Sequence, residues 1–173
     1  MVIWLVGLSG AGKTSIGREV YRRLKAGAPD TVLVDGDEIR TLFRDNRGDR
    51  AYSVEGRRRN SDRIRDLCAW LDRQEINVVC CTLSFFEETR QWNRDHLSRY
   101  FEVYVSAPME VLERRDPKHL YRRAREGRIR NVVGVDIPFT PPASPDLVVD
   151  NGEDGRDLGA IAEEILRRAG AGG

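Results

Sequence analysis

Five short apolar runs punctuate the chain, at Val2–Val6, Thr31–Val34, Val78–Thr82, Phe101–Ser106 and Leu147–Val149. Each is nearly continuous rather than alternating, the pattern of a strand covered on both faces. Between them the apolar positions fall at helical spacing over Lys13–Ala26, about Val54–Gln74, Glu87–Leu97, Met109–Glu126 and Gly155–Ala169. Strand and helix in alternation predict an α/β fold, with a five-stranded parallel sheet between two helical layers. The segment from Gly127 to Pro145 breaks the pattern, with four prolines, two glycines and no period. A long irregular stretch in a compact chain is more often a lid than a connector. The closing Gly170-Ala171-Gly172-Gly173 is expected to fray. At 173 residues, a single domain spanning the whole chain is expected.

Charge adds location rather than a field. Lys and Arg number 29 against 28 Asp and Glu, a net charge of +1, so nothing argues for nucleic acid or a membrane as partner. Nine arginines nevertheless fall between Arg40 and Arg65, and Arg114 to Arg130 is also basic. Guanidinium forks suit a phosphorylated small molecule. Cys68, Cys80 and Cys81 have no metal-binding spacing and read as reduced core residues. His96 and His119 are isolated and read as surface positions. Trp4, Trp70 and Trp92 read as packing residues. The N-terminus lacks the features of a signal peptide and no run reaches membrane-spanning length, so a cytoplasmic protein is expected.

The chemistry begins after the first strand. Gly7-Leu8-Ser9-Gly10-Ala11-Gly12-Lys13-Thr14 matches the phosphate-loop pattern, and Ser15 continues into the helix. Glycines let successive backbone N–H groups converge on phosphate oxygens, and the helix adds its positive end. Lys13 would reach the outer phosphates, and the Thr14 hydroxyl would ligate Mg²⁺. ATP and Mg²⁺ are the expected cofactors.

A second constellation closes strand two, at Asp35-Gly36-Asp37-Glu38-Ile39-Arg40. Ligands of open parallel sheets sit at the carboxyl ends of strands. Asp37, aimed by a turn at Gly36, is assigned to the metal or to the acceptor's proton, and Asp35 to supporting the turn. The alternative is that both aspartates only cap the next helix. Strand three ends without Asp, and no Asn/Thr-Lys-x-Asp motif occurs. Both facts disfavour a motor or a GTP switch and favour a small-molecule kinase.

With these residues in view, the chain resembles the adenylyl-sulfate kinase family from Val2 to about Asp150. The phosphate loop and Asp35-Gly36-Asp37 with Arg40 match that family's motifs. So do Tyr52-Ser53 followed by Arg57 and Asn60, Leu83-Ser84, and Arg115-Asp116-Pro117-Lys118 followed by Leu120-Tyr121 and Ala124-Arg125. Gly134-Val135-Asp136, then Pro138-Phe139, is similar to its lid. The resemblance implies a P-loop kinase fold and transfer of the ATP γ-phosphate to the ribose 3′-hydroxyl of adenosine 5′-phosphosulfate. It also implies roles. Arg40, Arg57 and Asn60 would grip the acceptor, and Tyr52 would stack on its base. Leu83 and Ser84 would lie near the acceptor and the phosphate path, with Ser84 grouped with Lys13 and Asp37 as catalytic. Arg115 would lie near ATP on the lid side, and Lys118 would neutralise phosphate charge. A homodimer is a further possibility.

Departures fall on the acceptor side. Val132-Val133 stands where the family has Phe-Thr, and the lost ring removes half of a base clamp, about 1–3 kcal/mol of stacking. Phe85-Phe86-Glu87 replaces Pro-Tyr-Arg, so an anion stands where the family has a cation. Either Phe85 or Phe86 could supply the missing ring. The alternative acceptor is another modified nucleotide, such as a cytidine diphosphate derivative. A different class of alternative is a nucleotide-binding regulatory module without catalysis. In the Arg57-Arg58-Arg59 run, Arg57 shares a helix face with Asn60, and Arg58 and Arg59 read as solvated.

Overall fold

In the computed structural model, residues 1–46, 49–116, 118–153 and 155–171 are described, without the side chain of Asp49. The strands are β1 (Val2–Val6), β2 (Thr31–Asp35), β3 (Asn77–Thr82), β4 (Tyr100–Ser106) and β5 (Leu147–Asp150). They form one parallel sheet in the order β2-β3-β1-β4-β5. The helices are α1 (Lys13–Gly27), α2 (Gly36–Leu42), α3 (Asp49–Tyr52), α4 (Val54–Asp72), α5 (Glu87–His96), α6 (Met109–Arg115), α7 (Leu120–Arg125) and α8 (Leu158–Arg168).

Alternation along β1 divides the core between the two faces of the sheet. Ile3 and Leu5 pack with Ile16 and Val20 of α1 and Ile165 of α8. Val2, Trp4 and Val6 pack with Ile64 and Cys68 of α4. The three layers expected from the apolar pattern are therefore present. The α1 helix lies very close to the sheet, since a Cβ on Gly17 would stand 2.1 Å from Cys81 Sγ. All three cysteines are buried and free, and His96 and His119 are exposed.

Four expectations need correction. Met109–Glu126 is two helices, because Asp116 leaves helical geometry and its carboxylate accepts from the Leu120 and Arg122 N–H groups, capping α7. Gly36 opens a helix rather than turning a loop. Gly170 and Ala171 are not frayed: their N–H groups donate to the Arg167 and Leu166 carbonyls and close α8. Gly172 and Gly173 lie outside the described residues, as does Pro117. Trp70 is exposed rather than packed, whereas Trp4 is core and Trp92 stacks on His96.

Candidate active site

The carboxyl ends of β1, β2 and β3 open into a cavity of about 190 Å³. One wall is the phosphate loop. Its carbonyls are taken up by the protein: Leu8 O accepts from Lys13 Nζ at 2.8 Å, Ser9 O from Tyr121 Oη at 2.8 Å, and Ala11 O from Asn151 Nδ2 at 2.8 Å. With those oxygens engaged, the loop offers a ligand its amides. Gly12 has φ 96°, and a Cβ there would meet Asn151 Nδ2 at 2.4 Å, so the loop leans directly on the turn after β5. Asn151 carried no signal in the sequence, being an isolated Asn distant from every motif.

Lys13 lines the cavity. Burial is the main influence on its ammonium and lowers its pKa to about 8, while Cys81, Asp37 and Asp35 act in the opposite direction. A nearby triphosphate would stabilise the charged form.

The two aspartates divide differently from expectation. Asp35, a buried residue, is the one that reaches the phosphate loop: its Oδ2 accepts from Thr14 Oγ1 at 2.7 Å. Its Oδ1 accepts from the Asp37 N–H at 2.9 Å and caps α2. Asp37 is 63% exposed and pairs with Lys118 across the cavity mouth. Thr14 and Asp35 are hard oxygen donors. Among the described residues no group of three His, Cys, Asp or Glu could hold a metal. The Thr14 and Asp35 oxygens fit Mg²⁺, which is held by one or two protein oxygens together with phosphates and water.

The opposite wall is made of side chains. Arg40, Tyr52, Arg57, Asn60, Leu83, Ser84, Phe85, Phe86, Lys118 and Val132 all line the same cavity as Ser9, Lys13 and Thr14. The Arg40 and Arg57 guanidiniums stand 5.1 and 5.8 Å from the Tyr52 ring. Desolvation lowers the pKa of both arginines, Arg57 to about 10 with Arg40 beside it. Two partly desolvated cations side by side favour an anion between them. Asn60 Nδ2 donates to Gly36 O at 3.3 Å, and its buried Oδ1 has no partner within the protein. A buried acceptor without a donor is the complement of a ligand hydroxyl or N–H.

The irregular segment is ordered by Asp136, whose carboxylate accepts from the Asn131 and Val132 N–H groups at 2.5 Å each. Arg57 Nη2 donates to Asn131 O at 2.6 Å and ties this segment to α4. Val132 is thereby held in the cavity wall.

Other expected residues lie elsewhere. Gly7, Gly10, Ala11, Gly12 and Ser15 belong to the loop and the start of α1 but are not part of the cavity lining. Arg115 is also outside it, donating to the carbonyls of Asn151 and Glu153 at 2.9 and 3.2 Å behind the phosphate loop. Arg58 is not simply solvated, since its guanidinium covers the Phe86 ring at 3.7 Å. Glu87 is exposed in the first turn of α5 and does not line the cavity, so the expected anion is not in the acceptor wall.

Comparison with known proteins identifies the family. The sequence profile of the adenylylsulphate kinase family matches residues 1–150. The cytidine diphosphoramidate kinase of Campylobacter jejuni is 39% identical over 150 residues, 87% of this chain and 85% of that protein. An adenylyl-sulfate kinase of Synechococcus sp. (strain JA-3-3Ab) is 40% identical over 154 residues, covering 88% and 85%. Among solved structures, the Mycobacterium tuberculosis APS kinase in complex with AMPPNP and APS superposes with a TM-score of 0.83 at 30% identity, covering 96% of this chain and 95% of that one. The phosphate loop, the paired arginines and Val132 line one cavity in a chain that belongs to the adenylylsulphate kinase family, a family of P-loop kinases.

Proposed function

We propose that this kinase moves the γ-phosphoryl group of Mg-ATP to the ribose 3′-hydroxyl of a nucleotide with a modified 5′-phosphate, adenosine 5′-phosphosulfate first. The observation that carries this reading is the single cavity in which Lys13 and Thr14 face Arg40, Arg57 and Asn60. The loop amides and Lys13 would hold the β- and γ-phosphates. Thr14 and Asp35 would hold Mg²⁺, whose chemistry is to neutralise charge on the transferring group. Arg40 and Arg57 would bind the acceptor's anionic end. Asn60 Oδ1 would accept from a ribose hydroxyl, and Asp37 would take the proton of the attacking one. Lys118, now on Asp37, would neutralise charge beside the transferring phosphoryl group. Residues from Gly127 to Pro145 would exclude water.

A second acceptor class has its own support. Val132, not an aromatic ring, faces the cavity from the lid, and a pyrimidine needs less stacking surface than a purine. A relative named cytidine diphosphoramidate kinase is 39% identical. A coupled assay of ADP release with Mg-ATP and a panel of acceptors separates the two. Turnover with adenosine 5′-phosphosulfate supports the first. Turnover only with cytidine diphosphate compounds replaces it with the second, and turnover with none overturns both.

A further inference from the structure

Behind the acceptor wall lies a buried polar cluster that the reaction outlined above does not use. Ser84 lines the cavity with φ 45°, a left-handed conformation that a residue with a Cβ seldom adopts unless its surroundings impose it. Two groups impose it here. Arg90 Nη1 donates to the Ser84 carbonyl at 2.6 Å, and Trp4 Nε1 donates to the Ser84 hydroxyl at 3.0 Å. Arg90 is a buried residue of α5, and its Nε stands 3.9 Å from Oε2 of Glu102, itself buried on β4. Glu102 is fixed in turn: its Oε2 accepts from Tyr100 Oη at 2.7 Å, and its N–H donates to Asp146 Oδ2 at 2.7 Å.

A buried ion pair is a poor way to gain stability, because removing both charges from water costs about as much as their attraction returns. Its position one residue contact behind the cavity points to placement instead. A hydroxyl that accepts from an indole has spent a lone pair and still carries its own proton.

We propose that Arg90, clamped by Glu102, is a positioning residue for the acceptor: together with Trp4 it orients Ser84 so that the serine hydroxyl donates into the acceptor pocket. This rests on the reading of that pocket as the acceptor site. It explains why an arginine and a glutamate are buried behind the cavity although neither lines it.

The test combines steady-state kinetics with calorimetric binding of the acceptor, for wild type, Ser84→Ala, Glu102→Gln, the paired variant Arg90→Leu with Glu102→Leu, and the triple variant that adds Ser84→Ala to the pair. The paired variant removes both buried charges at once and so avoids stranding one. Loss of an oriented hydrogen bond predicts an acceptor KM and Kd raised about tenfold in the paired variant and in Ser84→Ala, with the KM for ATP within about twofold of wild type. The triple variant is expected to be no worse than Ser84→Ala alone, because both changes remove one interaction. Glu102→Gln, which keeps the side chain's shape and removes its charge, should show the same selectivity at smaller size. A melting temperature that falls while acceptor KM and Kd stay unchanged overturns the proposal, as do effects that add in the triple variant. A wild type that binds acceptors without transferring phosphate strikes the functional reading alone and leaves the binding comparison decisive. A wild type that binds no acceptor overturns both.

Discussion

The two walls of the cavity are built differently. The phosphate wall comes from one contiguous loop, Gly7 to Thr14, of which Ser9, Lys13 and Thr14 line the cavity, with the Leu8, Ser9 and Ala11 carbonyls tied down by Lys13, Tyr121 and Asn151. The opposite wall, proposed as the acceptor wall, is side chain: Arg40 from α2, Tyr52 from α3, Arg57 and Asn60 from α4, Ser84 after β3 and Val132 from the irregular segment. A backbone nest tolerates few substitutions and binds any triphosphate alike. A side-chain wall can be altered one residue at a time, and the departures at Phe85, Phe86, Val132 and Val133 all line the cavity, whereas Glu87 does not. On the proposed roles, donor chemistry and acceptor choice are separable, and variants should divide the same way.

The largest effect is expected on the phosphate wall. Lys13→Ala should lower kcat/KM about 10²- to 10³-fold with every acceptor, measured by ADP release, because the charge on the transferring group loses its fixed counter-charge. An effect confined to one acceptor would break the comparison. Next come the aspartates. Asp35 touches Thr14 and Asp37 does not, so Asp35→Asn should raise the Mg²⁺ concentration needed for half-maximal rate. Asp37→Asn should instead lower kcat about 10²-fold with little change in that requirement. A magnesium titration of the two variants checks the assignment, and the reverse outcome would restore Asp37 as the metal-side carboxylate.

Arg57→Lys should weaken the acceptor by about tenfold in KM and leave ATP nearly untouched, since an ammonium cannot reproduce the fork at a desolvated site. Lys13 gives a pH signature of similar size. Its folded pKa of about 8 lies below the ordinary 10.5, so the unliganded enzyme loses this charge as pH rises through 8. Affinity for Mg-ATP, measured by calorimetry, should then fall about tenfold per pH unit above 8. The same sign makes the unliganded protein's stability rise between about pH 8 and 10.5, because there the unfolded chain holds the proton that the folded one has released. The smallest effect is a sharpening one. Val132→Phe should improve a purine acceptor relative to a pyrimidine by up to about tenfold, read from the ratio of the two kcat/KM values. Overpacking of a buried position will offset part of that gain.

The sequence revealed what is carried by local pattern. Strands show as apolar runs, and their observed ends fall within a residue of those read from the chain. The phosphate loop is a contiguous motif whose geometry follows from its glycines and the helix after it. Features that depend on distant partners were hidden. The sheet order needs long-range pairing. Asp35-Gly36-Asp37 reads equally well as a turn or as a helix cap, so α2 was legible only as the alternative, and Asp35 does cap it. The break between α6 and α7 depends on Asp116 folding back to cap Leu120 and Arg122. The pairing of Asp35, not Asp37, with Thr14 could not be read from two carboxylates two residues apart. Arg90, Glu102 and Asn151 belong to no motif, and what each does depends on side-chain contacts that no local pattern encodes, from Ser84 six residues before Arg90 to Ala11, 140 residues from Asn151.

The central claim is transfer of the γ-phosphoryl group to a ribose 3′-oxygen, and the product itself tests it most directly. Wild-type enzyme would be incubated with Mg-ATP and adenosine 5′-phosphosulfate or a cytidine diphosphate derivative, and the product examined by phosphorus NMR. The account predicts a new phosphomonoester resonance coupled to the H3′ proton of the acceptor's ribose. Phosphate released only as the free inorganic ion, or a phosphorus signal coupled to any other position, would contradict it.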